Sequence, residues 1–433
     1  MISSNLSGRE LNAWSGVSFD CSCGKRHELN TAFYIGEGAE NDIVSAVSAL
    51  APSCCGVMLL RGEGYDVSDL SRTLRRGGYK VCEREIADDA DFVVLEDLNP
   101  ADDIRAVIGV GGGYIADCAK YVAAYARINC GIVVRVHSSP SFLVPSSALA
   151  ERGMPRLYKT VTPKVLVCDP SKLPDDCECN AAAFGATVSR LVALYDWKFA
   201  SLVRAEPICK EIYDAALGEI DGVLNRLRVC SRRDVCVRRI LLESGLRLSA
   251  LAAMSGSSRL YSGGDTACAL ALNALRRHEK NELRLQGENE FLFSLILSKI
   301  YPELFSARKE GAFFPPPDNN LRLEKMKEYF GAEESVVAPT LSPYIDDDAF
   351  KLYDYRIGEY EDELKAELAV LNTRLNGAYK IFRRLYSDDG YFLKSYLDVS
   401  EAKLCVALAP EMRSKYTALT HMKNMGLTDG YLI

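Results

Sequence analysis

The chain has 433 residues, with 52 Lys and Arg against 59 Asp and Glu for a formal charge of −7, and it is 48% hydrophobic and 26% charged. This ordinary globular composition excludes collagen-like, coiled-coil and wholly disordered classes, and the length exceeds what one core normally serves, about 250–300 residues, so two domains are expected. The acidic balance also excludes a nucleic-acid partner, which needs a basic face.

The opening segment, residues 1–14, has no apolar stretch fit for a signal peptide, and nowhere do about 18 apolar residues run uninterrupted. A soluble, cytoplasmic protein without a membrane partner is expected. In that setting the 15 cysteines read as reduced thiols, many of them small buried apolar residues. Cys21-Ser-Cys23-Gly24-Lys-Arg-His27 gathers metal-ligating types, with Cys177 and Cys179 as a second close pair. Zinc takes four ligands, usually from pairs spaced by two to four residues, which the C-x-C spacing does not supply. The spacing reads instead as a β-turn at Gly24 joining two short strands, and whether Cys21, Cys23 and His27 bind a metal stays open.

Short apolar runs then alternate with amphipathic stretches, the pattern of βαβ units around a mainly parallel sheet. The runs are Val57 to Leu60, Tyr79 to Cys82, Asp91 to Leu95, Ala106 to Val110, Gly131 to Val136 and Lys164 to Cys168. The helical stretch Ser68 to Arg76 ends at Gly77-Gly78, which suits a left-handed C-cap. Within this half, Ala106-Val-Ile-Gly109-Val-Gly111-Gly112-Gly113-Tyr-Ile-Ala-Asp117 reads as strand, glycine turn and helix start. Such a turn lets a diphosphate approach the backbone and the positive end of the helix, with Asp117 one turn in, where its carboxylate faces the cleft. The same turn also serves as a purely structural one, and its spacing is neither G-x-G-x-x-G nor a Walker loop.

From about Asp175 the strand signals stop. Asn180 to Val203, Asp234 to Met254, Asn289 to Ile300 and Glu361 to Leu385 show apolar residues at helical spacing, with a break at Phe313-Phe-Pro-Pro-Pro317. Ser231-Arg232-Arg233-Asp234 and Arg238-Arg239 read as a solvated helix face, and His278 and His421 as exposed helix positions. The expected architecture is an α/β domain over residues 1–175, with a Rossmann-like mainly parallel sheet, and an all-α domain over 176–433.

Several landmarks occur in order along most of the chain: the Phe19 to His27 segment, Gly109-Val-Gly-Gly-Gly113-Tyr-Ile-Ala-Asp117-Cys-Ala-Lys120, Val165 to Asp169, Ala183-Phe-Gly185, Leu194-Tyr-Asp196-Trp197, Ser255 to Arg259 with Ser262-Gly263, and Arg413-Ser-Lys-Tyr416-Thr. Through them the sequence resembles the glycerol-1-phosphate dehydrogenase branch of the superfamily that includes dehydroquinate synthase and iron-containing alcohol dehydrogenases. The resemblance implies a dehydroquinate synthase-like fold, NAD or NADP at Gly111, Gly112, Gly113, Asp117 and Ser138, a small phosphorylated or polyol substrate, a homodimer, and a zinc or iron ion held by one Asp and two His that polarises the reacting oxygen.

At the three implied ligand positions this sequence has Ala186, Thr266 and Gln286. Alanine cannot ligate, and neutral Thr and Gln oxygens replace imidazole poorly, so no family-type zinc or iron is expected. Asp265 and Glu288 lie close by in sequence and would suit a hard cation such as magnesium, but read more readily as solvated or salt-bridged. In the implied substrate loop, Val136 to Ser147, the Asp that would meet a substrate hydroxyl is Leu143. His137 at the end of a parallel strand is the one new acid/base candidate, with a strand-capping role as the plainer reading. After Leu60, Arg61 replaces the acid that would meet the adenosine ribose, which points either to a 2′-phosphate and NADP or to a lost adenosine site. Two functions follow from the resemblance: an NAD(P)-dependent oxidoreductase with a metal-free or relocated-metal mechanism, or a catalytically degenerate homologue acting as a nucleotide-binding sensor, partner or scaffold.

Overall fold

The computed structural model describes residues 10–87, 91–139, 141–231, 234, 236–309, 319–332, 347–386, 397–428 and 430. The break expected at Phe313 to Pro317 and the pair Arg232-Arg233 lie outside these residues. Strands in chain order are β1 (Ser18–Asp20), β2 (Arg26–Glu28), β3 (Ala32–Ile35), β4 (Gly56–Gly62), β5 (Lys80–Ile86), β6 (Ile104–Gly111), β7 (Asn129–Val134), β8 (Ser146–Glu151), β9 (Met154–Lys159) and β10 (Val165–Cys168). Six of them form one parallel sheet in the order β3-β10-β7-β6-β4-β5. Among the described residues every strand precedes Asp169, and helices dominate from Cys177 onward. The α/β half with a mainly parallel sheet, the helical second half and the dehydroquinate synthase-like architecture are thus as the sequence implies.

The central strands are apolar on both faces because both are covered. Val57 and Leu59 of β4, with Ala106 and Ile108 of β6, pack under the helices Ile43–Ser48 and Ser68–Arg76. Met58, Leu60, Val107, Ile132 and Val134 face the other way, into a core that continues through the Gly113–Ala126 helix to Phe184, Phe291 and Leu297 of the helical half. This period of two sends alternate side chains of one strand to different cores.

Four local expectations need correction. Asp91 to Leu95 is not a strand: Asp91 Oδ1 accepts the Val93 N–H at 3.2 Å and Oδ2 the Gly153 N–H at 3.1 Å, starting the short helix Val93–Glu96. β5 runs on to Ile86 through Glu83, Arg84 and Glu85, because an edge strand can point charge at solvent. The later part of the expected substrate loop is a strand, since β8 pairs with β9 as a hairpin that the sequence reading does not contain. The helix stretch from Asn180 to Val203 is two helices, Cys177–Val188 and Arg190–Arg204, meeting at Ser189. The Ser68–Arg76 helix does end on a left-handed glycine, Gly78 with φ +90. No helix among the described residues is long and apolar enough to cross a membrane.

Candidate functional site

A cleft of about 820 Å³ opens where the carboxyl end of the sheet meets the helical half. Its α/β wall holds Gly112, Gly113, Asp117 and Ser138, and its helical wall Ala186, Arg190, Thr266, Gln286, Glu290 and Arg413. The glycine turn works by close approach, since none of Gly109, Gly111, Gly112 and Gly113 adopts a left-handed φ. A Cβ on Gly109 would sit 2.8 Å from Ala119 Cβ, one on Gly111 2.9 Å from Ile115, and one on Gly113 2.9 Å from Ser139. The first two glycines let the helix lie on β6, so Gly111 packs and does not line the cleft. Gly112 is the N-cap of the Gly113–Ala126 helix and offers no side chain, so the first N–H groups face the cleft uncapped.

Asp117 lines the cleft but is already engaged. It lies 2.6 Å from Lys120 Nζ and accepts the Ala148 N–H at 3.0 Å. Lys120, wholly buried, donates in turn to the carbonyls of Ser141 (3.3 Å), Val144 (3.0 Å) and Ser146 (2.9 Å). Burial pushes the Asp117 carboxyl up, opposed by this ammonium. The pair therefore positions the loop from Ser141 to Ala148. Leu143 belongs to the core, and its N–H donates to Ser249 Oγ of the Cys236–Ser255 helix at 2.8 Å, pinning the loop to the helical half.

Two candidates fall outside the cleft. Val136 and Ser138 line it, but His137 points away, 3% exposed, with Nε2 2.9 Å from Asn180 Oδ1. Desolvation lowers its pKa, keeping the ring neutral; its placement is that of a strand-end tie to the helical half, not of an acid/base group. Arg61 is likewise turned aside, paired with Glu85 of β5 and donating to the Tyr65 carbonyl at 3.3 Å. Glu63 and Tyr65 of the same turn line the cleft in its place. His421 is not exposed as expected: it is fully buried, stacked on Phe350, and desolvation pushes it down to about 3. His278 is exposed.

No family model matches the chain. The glycerol-1-phosphate dehydrogenase (NAD(P)+) of Metallosphaera sedula is 29% identical over 206 residues, 47% of this chain and 56% of that protein, and that of Sulfurisphaera tokodaii is 25% identical over 51% of this chain and 63% of that protein. The matched region thus spans less than two thirds of either relative. The fold matches an iron-containing alcohol dehydrogenase from Thermococcus thioreducens with a TM-score of 0.58 at 13% identity, over 93% of this chain and 98% of that one. A probable glycerol dehydrogenase from Sinorhizobium meliloti gives 0.51 at 14%, over 79% and 97%. The chain is thus similar in sequence to glycerol-1-phosphate dehydrogenases over about half its length and shares the fold of the iron-containing alcohol dehydrogenase.

Within that superfamily frame, Ala186, Thr266 and Gln286 all face the one cleft. The helices carrying Ala186 and Gln286 touch at glycines, since a Cβ on Gly287 would meet the Ala182 carbonyl oxygen and one on Gly185 the Gly287 carbonyl oxygen. Gln286 accepts from Asn273 Nδ2 at 2.7 Å and donates to Glu290 Oε1 at 3.3 Å. Glu290 is paired with Arg190, whose Nε donates to the Ala186 carbonyl at 2.8 Å and whose guanidinium lies 4.3 Å from the Tyr261 ring centre. Arg413 donates to Ser262 Oγ at 3.2 Å, and desolvation lowers it only to about 10, so it stays a cation. Thr266 Oγ1 is buried with no hydrogen-bond partner among the described residues.

Sequence reasoning missed Arg190 and Glu290, which lie one hundred positions apart and show no motif. Asp265 and Glu288 are buried, and neither makes a salt bridge among the described residues. Asp265 is fully buried and accepts from Ser294 Oγ at 2.6 Å, and burial with nearby Glu290 pushes it up to about 8. Glu288 is buried, and desolvation with Glu178 nearby also raises it to about 8. Burial thus favours the neutral form of both, and they do not converge as a cation-binding group among the described residues.

Proposed function

We propose that the chain binds an NAD(P)-type dinucleotide in this cleft and does not carry out metal-assisted hydride transfer there. The observation that carries the reading is the composition of the wall. The three positions that would hold the ion present a methyl group, an unpartnered hydroxyl and an amide, while the guanidiniums of Arg190 and Arg413 stand beside them. The one carboxylate among them, Glu290, is already neutralised by Arg190. A divalent cation would meet fixed positive charge in a low-dielectric site and find no anionic donor free to offset its desolvation. The residues do not fit the superfamily's metal.

They fit an anion better. Across the whole cleft, Arg190, Arg277, Arg284 and Arg413 stand against Glu63, Asp117 and Glu290, two of which are paired. The uncapped helix start at Gly112 and Gly113 supplies N–H groups for a diphosphate. NAD(P), when bound, supplies a hydride or its acceptor; Thr266 Oγ1 is the buried polar atom left to meet a bound small molecule. Glycerol-1-phosphate dehydrogenase is the activity named for the curated relatives, so the ketone substrate of that reaction, dihydroxyacetone phosphate, is the right probe.

NADH and NADPH fluorescence titrations, followed by NADH oxidation on dihydroxyacetone phosphate with added Zn2+, Fe2+ or Mn2+, test the reading. Saturable dinucleotide binding without metal-stimulated turnover is expected. Turnover that depends on an added ion, or failure to bind either dinucleotide, would overturn it.

A further inference from the structure

The N-terminal hairpin carries a second group of side chains, remote in chemistry from the cleft. Between β1 and β2 the chain makes a tight turn in which the Gly24 N–H donates to the Cys21 carbonyl and the Cys21 N–H to the Lys25 carbonyl, both at 3.0 Å. Gly24 takes φ +79, a conformation that suits glycine. The turn folds Cys23 back so that its backbone N–H donates to Cys21 Sγ at 3.5 Å. In β2, Arg26 and Glu28 are exposed while His27, between them, is only 2% exposed and points inward.

What His27 meets comes from 182 residues away: Cys209, the residue before the Lys210–Leu227 helix. His27 Nε2 lies 3.4 Å from Cys209 Sγ and 3.3 Å from Cys23 Sγ, and Cys21 Sγ lies 3.5 Å from Cys209 Sγ. The four atoms all fall within 4.8 Å of one another. A tetrahedral zinc with Zn–S near 2.3 Å and Zn–N near 2.0 Å sets its donor atoms about 3.5–3.8 Å apart, so the spacing suits a single ion. The ring orientation agrees. His27 Nδ1 lies 2.7 Å from the Met254 carbonyl oxygen, so it carries the proton, and the Nε2 lone pair points at the sulfurs, as in zinc sites whose histidine is held by an outer carbonyl. A Cys21–Cys209 disulfide would need sulfurs about 2.05 Å apart and would leave Cys23 and the imidazole converging on nothing.

We propose that Cys21, Cys23, His27 and Cys209 form a closed four-ligand zinc site that clamps the N-terminal hairpin to the helical half. With four protein ligands and no open position, the ion is structural. The three-residue group Cys230, Asp234 and Cys236 offers one ligand fewer, and its Asp234 already accepts from Ser231. None of the four proposed ligands lines the cleft, so this site stands apart from the reading of the cleft.

Elemental analysis of the full chain purified without chelator should find a single zinc ion. Cys23→Ser, at an exposed position, should weaken zinc binding by about 100-fold or more, and Cys209→Ser should do the same, whereas Cys54→Ser should retain the ion. Cobalt exchanged into the wild-type protein should show thiolate charge-transfer bands and intense tetrahedral d–d bands, a signature that needs no variant to fold. Zinc retained at full stoichiometry in both Cys23→Ser and Cys209→Ser, a metal-free folded protein whose cobalt form lacks those bands, or a Cys21–Cys209 disulfide in protein kept reduced would each overturn the proposal. Dinucleotide titration of the same samples separates this result from the reading of the cleft.

Discussion

The cleft and the hairpin cluster are both assembled from distant parts of the chain, yet they offer a cation opposite things. In the cleft, closely packed helices still aim Ala186, Thr266 and Gln286 at one space, but the groups delivered there are neutral and flanked by Arg190 and Arg413. Under the hairpin, three thiols and an imidazole converge within 4.8 Å. The same fold thus presents neutral groups at one place and gathers thiols and an imidazole at another.

The largest expected effect within the cleft follows from Lys120. It is fully buried, pairs with Asp117 and holds three carbonyls of the loop from Ser141 to Ser146. Lys120→Met keeps the bulk and removes every donor, leaving a buried carboxylate and three carbonyls without it, at a cost of about 3–5 kcal/mol. Urea unfolding checks the value. A loss under about 1 kcal/mol would mean that the cleft wall does not depend on this pair, and the rigidity assigned to the retained scaffold would fail.

Gly287→Ala probes the same scaffold where two helices touch. Its Cβ would meet the Ala182 carbonyl and Ala186 Cβ, backbone and core atoms that cannot swing aside. A loss of about 1–3 kcal/mol is expected, as for overpacking elsewhere, with a weakened dinucleotide site because Ala186 and Gln286 move apart. The variant should leave the zinc content unchanged, which separates the two regions directly.

These contrasts also show what the sequence could reveal. The alternation of βαβ units, the helical period after Asp175 and the glycine turn are local patterns, and the sheet order and helical half follow them. Ala186, Thr266 and Gln286 come instead from the family resemblance, and the structure places all three on the wall of one cleft. Cys209 is not. It lies in an unremarkable Pro207-Ile-Cys-Lys210 stretch, and only the packing of the Lys210–Leu227 helix brings it to His27. The β8–β9 hairpin hid because Arg152-Gly153, its turn, sits between short runs that read equally well as loop. His137 misled because it lies past the end of β7, where Val136 and Ser138 line the cleft and His137 itself turns to Asn180.

A smaller effect concerns the acids that might have served a cation. Asp265 stays protonated up to about pH 8 when folded but ionises near 3.8 when unfolded. The folded state then holds a proton that the unfolded state has released, so stability is greatest below 3.8, falls as pH rises toward 8, and is flat beyond. The slope is at most about 1.4 kcal/mol per pH unit for one such group. Asp265→Asn should flatten the fall measured by urea unfolding between pH 5 and pH 8. Parallel curves for the two proteins would mean that Asp265 is ionised in the fold, and a hard-cation site in the helical half would become credible again.

The smallest effect belongs to Arg61, and it tests whether this guanidinium takes any part in the proposed dinucleotide binding. Were this guanidinium free, it would favour a 2′-phosphate, and its loss would weaken NADPH selectively by about 1.5–3 kcal/mol, the range of a hydrogen bond to a charged group. Its partners are instead Glu85 on the edge strand and the Tyr65 carbonyl, at a partly exposed position where an ion pair contributes about 0–1 kcal/mol. Arg61→Ala should therefore change unfolding stability by less than about 1 kcal/mol and leave the ratio of NADPH to NADH affinity as it was. A selective loss of NADPH binding of about tenfold or more would show that Arg61 exchanges Glu85 for the ligand, because the repulsion between Glu85 and an incoming phosphate would itself drive that exchange.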